Sequence, residues 1–161
     1  SWLSVLIAGD IVYLLDPYNE ISISKRIIKR PKLYFTDTGL ACYLARLNSG
    51  EILGSSAFSG RFVETYIINE IKKSYVNNGI EPNFYYYRDS DMNEIDLVII
   101  QDGKLHRIEC KSGIKFNNNA VKGFKQLDKT NYQIGFKVII CNTDTVYPLD
   151  DNVYVLPLAG I

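Results

Sequence analysis

Histidine and cysteine are scarce in this sequence, which limits the metals and cross-links that the chain can hold. Its 161 residues include one histidine, His106, and three cysteines, Cys42, Cys110 and Cys141, with no CxxC pair among them. An odd number of widely spaced cysteines in apolar surroundings is typical of reduced thiols, so we expect a cytoplasmic protein. Zinc is disfavoured, because its usual sites need several histidine or cysteine ligands.

The sequence also lacks a net charge and a long hydrophobic run. Lysine plus arginine (18) equals aspartate plus glutamate (18), so nucleic-acid binding could come only from local basic patches. The most apolar stretch, residues 1–15, is interrupted by Asp10, is too short to span a bilayer and lacks the basic start of a signal peptide, so we expect no membrane association. A missing initiator methionine, a start that resembles mid-helix and a missing GxxxxGK[ST] phosphate loop suggest a fragment of a longer chain.

What the chain does have is the composition of a folded α/β domain, with 47% hydrophobic and 22% charged residues. We predict a mixed sheet of four or five strands, arranged as a meander and flanked by helices. Helices are predicted at 2–8, from a cap at Asp37 or Thr38 through Leu47, from Arg61 to about Asn77, and near 118–129. Strands are predicted at 11–18 and 25–37, which form a separate hairpin, and at 83–89, 94–101, 104–111, 135–142 and 153–158. Residues 48–60, rich in Gly and Ser, are predicted to be a linker.

Two carboxylates are expected to meet inside this sheet. Asp102-Gly103, between two apolar runs, predicts a two-residue type I′ turn, which pairs Gln101 with Lys104. Counting outward in that register places Asp96 opposite Glu109 on one face of the sheet. The next pair on the same face is Glu94 with Lys111. Opposed like charges are destabilising, so this pair of carboxylates needs a cation.

A third carboxylate, Glu64, lies on the predicted long helix. Ile67, Ile68, Ile71 and Tyr75 follow it at helical spacing, so Glu64 shares the stripe that should pack on the sheet. Its position near the helix start offers a second interpretation, in which the helix dipole stabilises the carboxylate and the residue has no role in a site.

Carboxylate oxygens around one point suit a hard divalent cation such as Mg²⁺ or Mn²⁺. Asp96 and Glu109 are the candidate ligands. A metal there, with Lys111 beside it, predicts metal-assisted phosphodiester hydrolysis. The alternative is a structural network in which Lys111 neutralises Asp96 and Glu109 without any catalysis.

Basic residues form two candidate phosphate-binding groups. The arm of the first hairpin carries Lys25, Arg26, Lys29, Arg30 and Lys32, and the later helix carries Lys122, Lys125 and Lys129 on one face. Each group is also explained as an ordinary solvated surface. The aromatic run at 84–88 is interpreted as strand core in preference to a base-stacking platform. His106 is interpreted as a sheet residue.

The order of the charged residues resembles a known pattern. Glu64 on a helix, Asp96 on a strand, and Glu109-Cys110-Lys111 after a hairpin are similar to the signature of the PD-(D/E)XK nuclease superfamily, although Ile95 stands where the name of that superfamily has proline. More closely, "RPKLYFTDTGLACYL", "SGRFVETYIINEI", "YYYRDSDMNEIDLVI" and "HRIECKSG" resemble the C-terminal domain of a family of predicted bacterial and archaeal AAA+ ATPases.

This resemblance implies a restriction-endonuclease-like fold at 58–161, a connecting helix and linker at 37–57, and a winged-helix remnant at 1–36 with a basic wing. It implies metal ligation by Asp96 and Glu109, with Lys111 positioning water or stabilising the transition state and Glu64 assisting. It further implies a preceding AAA+ module that binds ATP, and DNA as the substrate. Two alternatives stay open: a non-catalytic nucleic-acid-binding or regulatory domain of the ATPase, and a protein-interaction module.

Overall fold

The computed structural model describes residues 1–20, 30–116, 118–150 and 152–161, and within them the side chains at 118 and 119 are not described. The helices are α1 (Trp2–Ala8), α2 (Thr38–Leu44), α3 (Gly50–Ser55) and α4 (Ser59–Asn77). The strands are β1 (Val12–Leu15), β2 (Lys32–Phe35), β3 (Phe84–Arg88), β4 (Glu94–Gln101), β5 (Lys104–Cys110), β6 (Gln133–Cys141), β7 (Tyr147–Asp150) and β8 (Val153–Pro157). In these ranges no helix combines the length and apolar character needed to cross a membrane.

A mixed six-stranded sheet forms the centre of the fold, in the order β3-β4-β5-β6-β8-β7. The strands β3, β4 and β5 are an antiparallel meander, while β5, β6 and β8 run parallel. The predicted α/β class and mixed sheet are therefore confirmed. The strand beyond the predicted four or five is β7, an edge strand whose Pro148 reads locally as a turn residue.

Two hydrophobic clusters cover this sheet. Ile67 and Ile68 of α4 share the first cluster with Leu97 and Ile99 of β4. The second cluster includes Ile95 and Val98 of β4, packed with aromatic and aliphatic side chains from the region around 120–127. Because β4 contributes to both clusters, its sequence is an almost continuous apolar run.

The strands β1 and β2 pair antiparallel in a separate two-stranded sheet, as predicted. Buried Asn69 attaches this sheet to α4, since its Oδ1 accepts from Tyr13 Oη at 2.9 Å and its Nδ2 donates to the carbonyl of Phe35 at 2.9 Å. The winged-helix assignment of this part stays a prediction. The segment between β1 and β2 that carries Lys25, Arg26 and Lys29 lies outside the described residues.

Two predicted elements are wrong. The linker at 48–60 holds α3 and the start of α4, and Ser49 caps α3 by accepting from the N–H of Ile52 at 3.2 Å. The helix near 118–129 is replaced by two short 3₁₀ segments at Asn118–Val121 and Gly123–Leu127. Gly123 lies so close to β4 that an added Cβ would stand 2.1 Å from the Glu94 carbonyl oxygen, which explains a glycine at this position.

Asp37 caps α2 as predicted, with its Oδ1 accepting from the N–H of Leu40 at 2.6 Å. The helix ends at Leu44, earlier than the predicted Leu47.

Candidate active site

The hairpin that the predicted turn closes forms one side of an open cleft of about 560 Å³, at the end of the hairpin away from the turn. Asp102 and Gly103 have φ of 51° and 73°, the left-handed geometry that a type I′ turn requires. The register then runs from Gln101–Lys104 to Leu97–Ile108, as predicted. The cleft lies beyond this ladder, between the ends of β4 and β5, the start of α4 and Lys32 of β2. Its lining residues include Lys32, Arg61, Glu64, Arg88, Glu94, Asp96, Glu109, Cys110 and Lys111.

Asp96 and Glu109 are the buried carboxylates of the cleft, each 8% exposed. At the position where the predicted register opposes them, the backbone N–H of Cys110 donates to Asp96 Oδ2 at 2.8 Å. Lys111 Nζ donates to Glu109 Oε1 at 2.6 Å. Glu109 Oε2 is buried and has no hydrogen-bond partner within the part of the chain that the structure describes. The cleft therefore contains one unsatisfied carboxylate oxygen.

Both buried carboxyl groups hold a proton more tightly than usual. Burial raises the pKa of Asp96 well above its ordinary value, and the charges of Glu109 and Glu64 add to the effect, while Lys32 opposes it. Burial also raises the pKa of Glu109, although Lys111 acts in the opposite direction. Additional positive charge at the cleft would therefore stabilise the ionised forms of both groups.

Glu64 of α4 points into the same cleft. Its Oε1 accepts from Tyr34 Oη at 2.5 Å and from Lys32 Nζ at 3.0 Å. The structure thus brings together Glu64, Asp96, Glu109 and Lys111, the four residues predicted from the sequence to form the site.

Lys32 is a cleft residue that the sequence analysis assigned only to the basic arm. Its Nζ lies 2.6 Å from Glu94 Oε1 and 3.9 Å from Asp96 Oδ1, in addition to its contact with Glu64. Burial of the ammonium disfavours its charge, but the carboxylates around it outweigh this cost and raise the pKa of Lys32 above its ordinary value. Side chains alternate along β2, so the sequence could predict that Lys32 and Tyr34 lie on one side of the strand. The sequence could not predict that this side packs on the cleft.

The charges that line the cleft are balanced. Glu94, predicted to oppose Lys111, pairs instead with Lys32 and weakly with Arg88, whose Nε lies 3.8 Å from Glu94 Oε2. Four carboxylates (Glu64, Glu94, Asp96, Glu109) face four cations (Lys32, Arg61, Arg88, Lys111).

The donor chemistry of the cleft fits a water-rich divalent cation. In the described ranges no three His, Cys, Asp or Glu side chains stand together as a metal-binding group, so an all-protein cage is not present there. Mg²⁺, however, keeps several waters and is often held by one or two carboxylates. Asp96 and the unpartnered oxygen of Glu109 supply such a pair.

Three of the residues predicted to contact nucleic acid, Arg30, Lys122 and Lys125, lie in the described ranges, and none of them lines this cleft. Arg30 is exposed, and its carbonyl oxygen accepts from the Tyr86 hydroxyl. Lys122, between the two 3₁₀ segments, and Lys125, on the second of them, are also exposed. Lys25, Arg26 and Lys29 lie outside the described residues.

Two further predictions from the sequence are confirmed: the aromatic run at 84–88 belongs to a strand core, and His106 is a sheet residue. Tyr86 and Tyr87 of β3 are buried, as expected for a strand core. His106 is a satisfied sheet residue, because its Nδ1 accepts from the N–H of Phe136 at 3.1 Å.

Comparison with known families gives two matches. Residues 1–51 match a domain of unknown function (DUF8612), and residues 59–161, more than half of the chain, match a domain of unknown function (DUF4143). Searches of curated proteins and of solved structures return no match. The second match includes α4 and all six strands of the large sheet, and with them Glu64, Asp96, Glu109 and Lys111. The chain therefore belongs to the DUF4143 family, domains of unknown function that are often found at the C-terminus of AAA-type ATPase proteins.

Proposed function

We propose that this domain hydrolyses phosphodiester bonds with a Mg²⁺ or Mn²⁺ ion held by Asp96 and Glu109. The observation that carries the proposal is the unpartnered oxygen of Glu109, buried in a cleft that also contains Asp96, with Lys111 two residues further on. A buried carboxylate oxygen without a donor is costly, and a cation is the partner that removes the cost.

The protein groups would divide the work as follows. A bound divalent cation supplies an activated water and neutralises charge that develops on the phosphoryl group. Lys111, now paired with Glu109, can donate to a transition-state oxygen or orient the attacking water. Glu64 lines the same cleft and would assist the metal or its bound water. Arg61 and Arg88 are the lining cations available to a substrate phosphate.

The substrate and the setting of the domain rest on the family resemblance. DNA is the proposed substrate, in preference to RNA. The proposed partner is an AAA+ ATPase module of the same chain, which would bind the ATP, and the nuclease-like PD-(D/E)XK relationship and the winged-helix remnant belong to this proposal.

A second candidate, a non-catalytic regulatory or nucleic-acid-binding domain, is favoured by a different observation. Lys32 bridges Glu64 and Glu94 and approaches Asp96. A cleft whose charges are already balanced by its own side chains can be purely structural.

Thermal melting separates the two candidates. Wild type, Asp96→Asn and the matched surface variant Glu51→Gln are melted in chelator and in millimolar Mn²⁺. Under the first proposal Mn²⁺ raises the midpoint of wild type and Glu51→Gln but not of Asp96→Asn, because an ion stabilises only the state that binds it. If Mn²⁺ shifts the midpoint of none of the three proteins, the metal site is rejected and the regulatory domain is favoured.

Cleavage of labelled DNA then tests the chemistry itself. Wild type should cleave in Mg²⁺ or Mn²⁺ but not in chelator, and Asp96→Asn and Lys111→Met should not cleave. Cleavage that persists in both variants would contradict the assignment of the site.

A further inference from the structure

We propose that Lys32 is a tethered cation that competes with the divalent ion for the cleft and so lowers the metal affinity of the domain. This inference rests on the proposed metal site. It assigns a role in metal binding to a residue of the two-stranded sheet, outside the part of the chain that matches DUF4143.

The contacts of Lys32 are those of a counter-ion. Its ammonium group lies 2.6 Å from Glu94 Oε1 and 3.0 Å from Glu64 Oε1, and its side chain is 22% exposed. The ring of Tyr86, with its centroid 5.1 Å from Nζ, adds a cation–π contact. One ammonium thus neutralises carboxylates from a helix and from a strand.

Lys32 satisfies only part of the cleft. It reaches Asp96 Oδ1 at 3.9 Å, the outer limit of an ion pair. The buried Oε2 of Glu109 has no partner in the described part of the chain, so neither Lys32 nor Lys111 supplies it. A divalent cation that binds this oxygen of Glu109 would therefore lie next to the ammonium of Lys32.

A divalent ion held by Asp96 and Glu109 would therefore share the Asp96 carboxylate with the Lys32 ammonium. Like charges on one carboxylate repel strongly where water is partly excluded. Metal binding is then favoured when the ammonium turns away from Asp96, either toward Glu94 and Glu64, which it already contacts, or toward another anion. A substrate phosphate is such an anion, so phosphate and metal binding should support each other.

The backbone gives Lys32 a fixed origin. It lies at the first position of β2, opposite Leu15, and Tyr34 on the same strand donates to Glu64. Buried Asn69 holds the other end of β2 through the carbonyl of Phe35. These contacts hold β2 on α4 and keep the ammonium of Lys32 close to the carboxylates.

Calorimetric titration with Mn²⁺ tests the inference on the folded chain. We compare wild type with Lys32→Met and with Lys73→Met, a control that removes a cation from an exposed surface pair with Glu70. Lys32→Met should lower the Kd for Mn²⁺ by about tenfold or more, which corresponds to a loss of repulsion of about 1.4 kcal/mol. Lys73→Met should leave the Kd unchanged.

The outcomes separate this inference from the proposed function. Equal Kd values for wild type and Lys32→Met would overturn the competition and leave the metal site intact, whereas absence of Mn²⁺ binding in every protein would overturn both. Lys32→Gln, which retains a hydrogen-bond donor, carries the test if Lys32→Met does not give a cooperative melting curve. Adding Asp96→Asn to either variant should abolish the gained binding, and binding that persists would overturn the assignment to this cleft.

Discussion

At the scale of single residues, the two buried carboxylates of the cleft are stabilised in different ways. Asp96 accepts from the backbone N–H of Cys110, a donor that also suits a neutral acceptor. Glu109 depends on the charged side chain of Lys111. Neutralising Asp96 and removing Lys111 should therefore change stability in opposite directions.

Asp96→Asn should stabilise the domain in chelator at neutral pH, by on the order of 1 kcal/mol, as expected when one of two neighbouring like charges on a sheet is removed. The asparagine oxygen can still accept from the Cys110 N–H. Urea denaturation of wild type and variant measures the difference. A variant less stable than wild type would show that the charge of Asp96 is needed by Lys32 and its network.

The advantage of Asp96→Asn should depend on pH. The folded-state pKa of Asp96 is raised above the ordinary value of 3.8, so the native state binds its proton more tightly than the unfolded state does. The stability that comes from this proton is present at low pH and is lost as pH rises through the raised pKa. Relative to the variant, wild type should therefore lose stability as pH rises from the ordinary carboxyl pKa of 3.8 through the raised pKa of Asp96. A difference that does not vary across this range would contradict the burial of an ionisable Asp96. The charged groups around it are Glu64, Glu94, Glu109, Lys32 and Lys111.

Lys111→Met should destabilise the domain by about 1–2 kcal/mol, because it leaves the buried carboxylate of Glu109 without its donor. The loss is smaller than for a fully buried pair, since Lys111 is partly exposed. Mn²⁺ should restore more stability to this variant than to wild type. Denaturation with and without Mn²⁺ measures both effects. Lys73→Met, on the surface, should stay within about 0.5 kcal/mol of wild type.

At the scale of helices and strands, the elements with clear local sequence signals were predicted correctly. Asp102-Gly103 defined the hairpin and its register, and the apolar stripe after Glu64 defined α4. The two elements that were not predicted have ambiguous local signals: α3 lies in a Gly- and Ser-rich stretch, and β7 contains Pro148. The close approach of Gly123 to β4 is a tertiary contact, which no local sequence pattern encodes.

Gly123→Ala should destabilise the domain by about 3 kcal/mol or more, because the new Cβ would meet the Glu94 carbonyl oxygen at 2.1 Å and force the backbone of β4 or of the 3₁₀ segment to move. Gly54→Ala is the matched control. Gly54 lies in α3 with nothing within 4 Å of the added Cβ, so this change should stabilise the domain by up to about 1 kcal/mol. Equal effects of the two changes would contradict the close approach. Thermal melting distinguishes them.

At the scale of the whole molecule, the two sheets cooperate in one cleft. The large sheet and α4 supply Glu64, Asp96, Glu109 and Lys111, all of which the sequence placed together. The small sheet supplies Lys32, which the sequence could not place, because the position of one sheet on another depends on buried polar contacts such as those of Asn69. The net charge of the chain predicted neither the cleft nor the place of Lys32 in it, since the chain has equal numbers of acidic and basic residues.

Asn69→Leu should destabilise the whole chain by about 2–3 kcal/mol, because it removes the hydrogen bonds to Tyr13, Phe35 and Thr36 and leaves their partly buried polar groups unpaired. Asn77→Leu, an exposed change at the end of α4, should have little effect. Urea denaturation followed by tyrosine fluorescence measures both. If the small sheet separates in a transition of its own, the variant will show two steps, and an unchanged single midpoint would contradict the role of Asn69 as the attachment.

The hydrogen bond from the Cys110 amide to Asp96 gives the cleft a built-in spectroscopic reporter. An amide proton that donates to an ionised carboxylate forms a shorter, stronger bond than one that donates to a neutral group, so its resonance should lie downfield while Asp96 is charged. Protonation of Asp96 should move that resonance upfield, and a paramagnetic ion in the cleft should broaden it. The ¹⁵N-labelled amide of Cys110 can therefore follow the ionisation of Asp96, the entry of a metal ion and the withdrawal of Lys32 in the same sample.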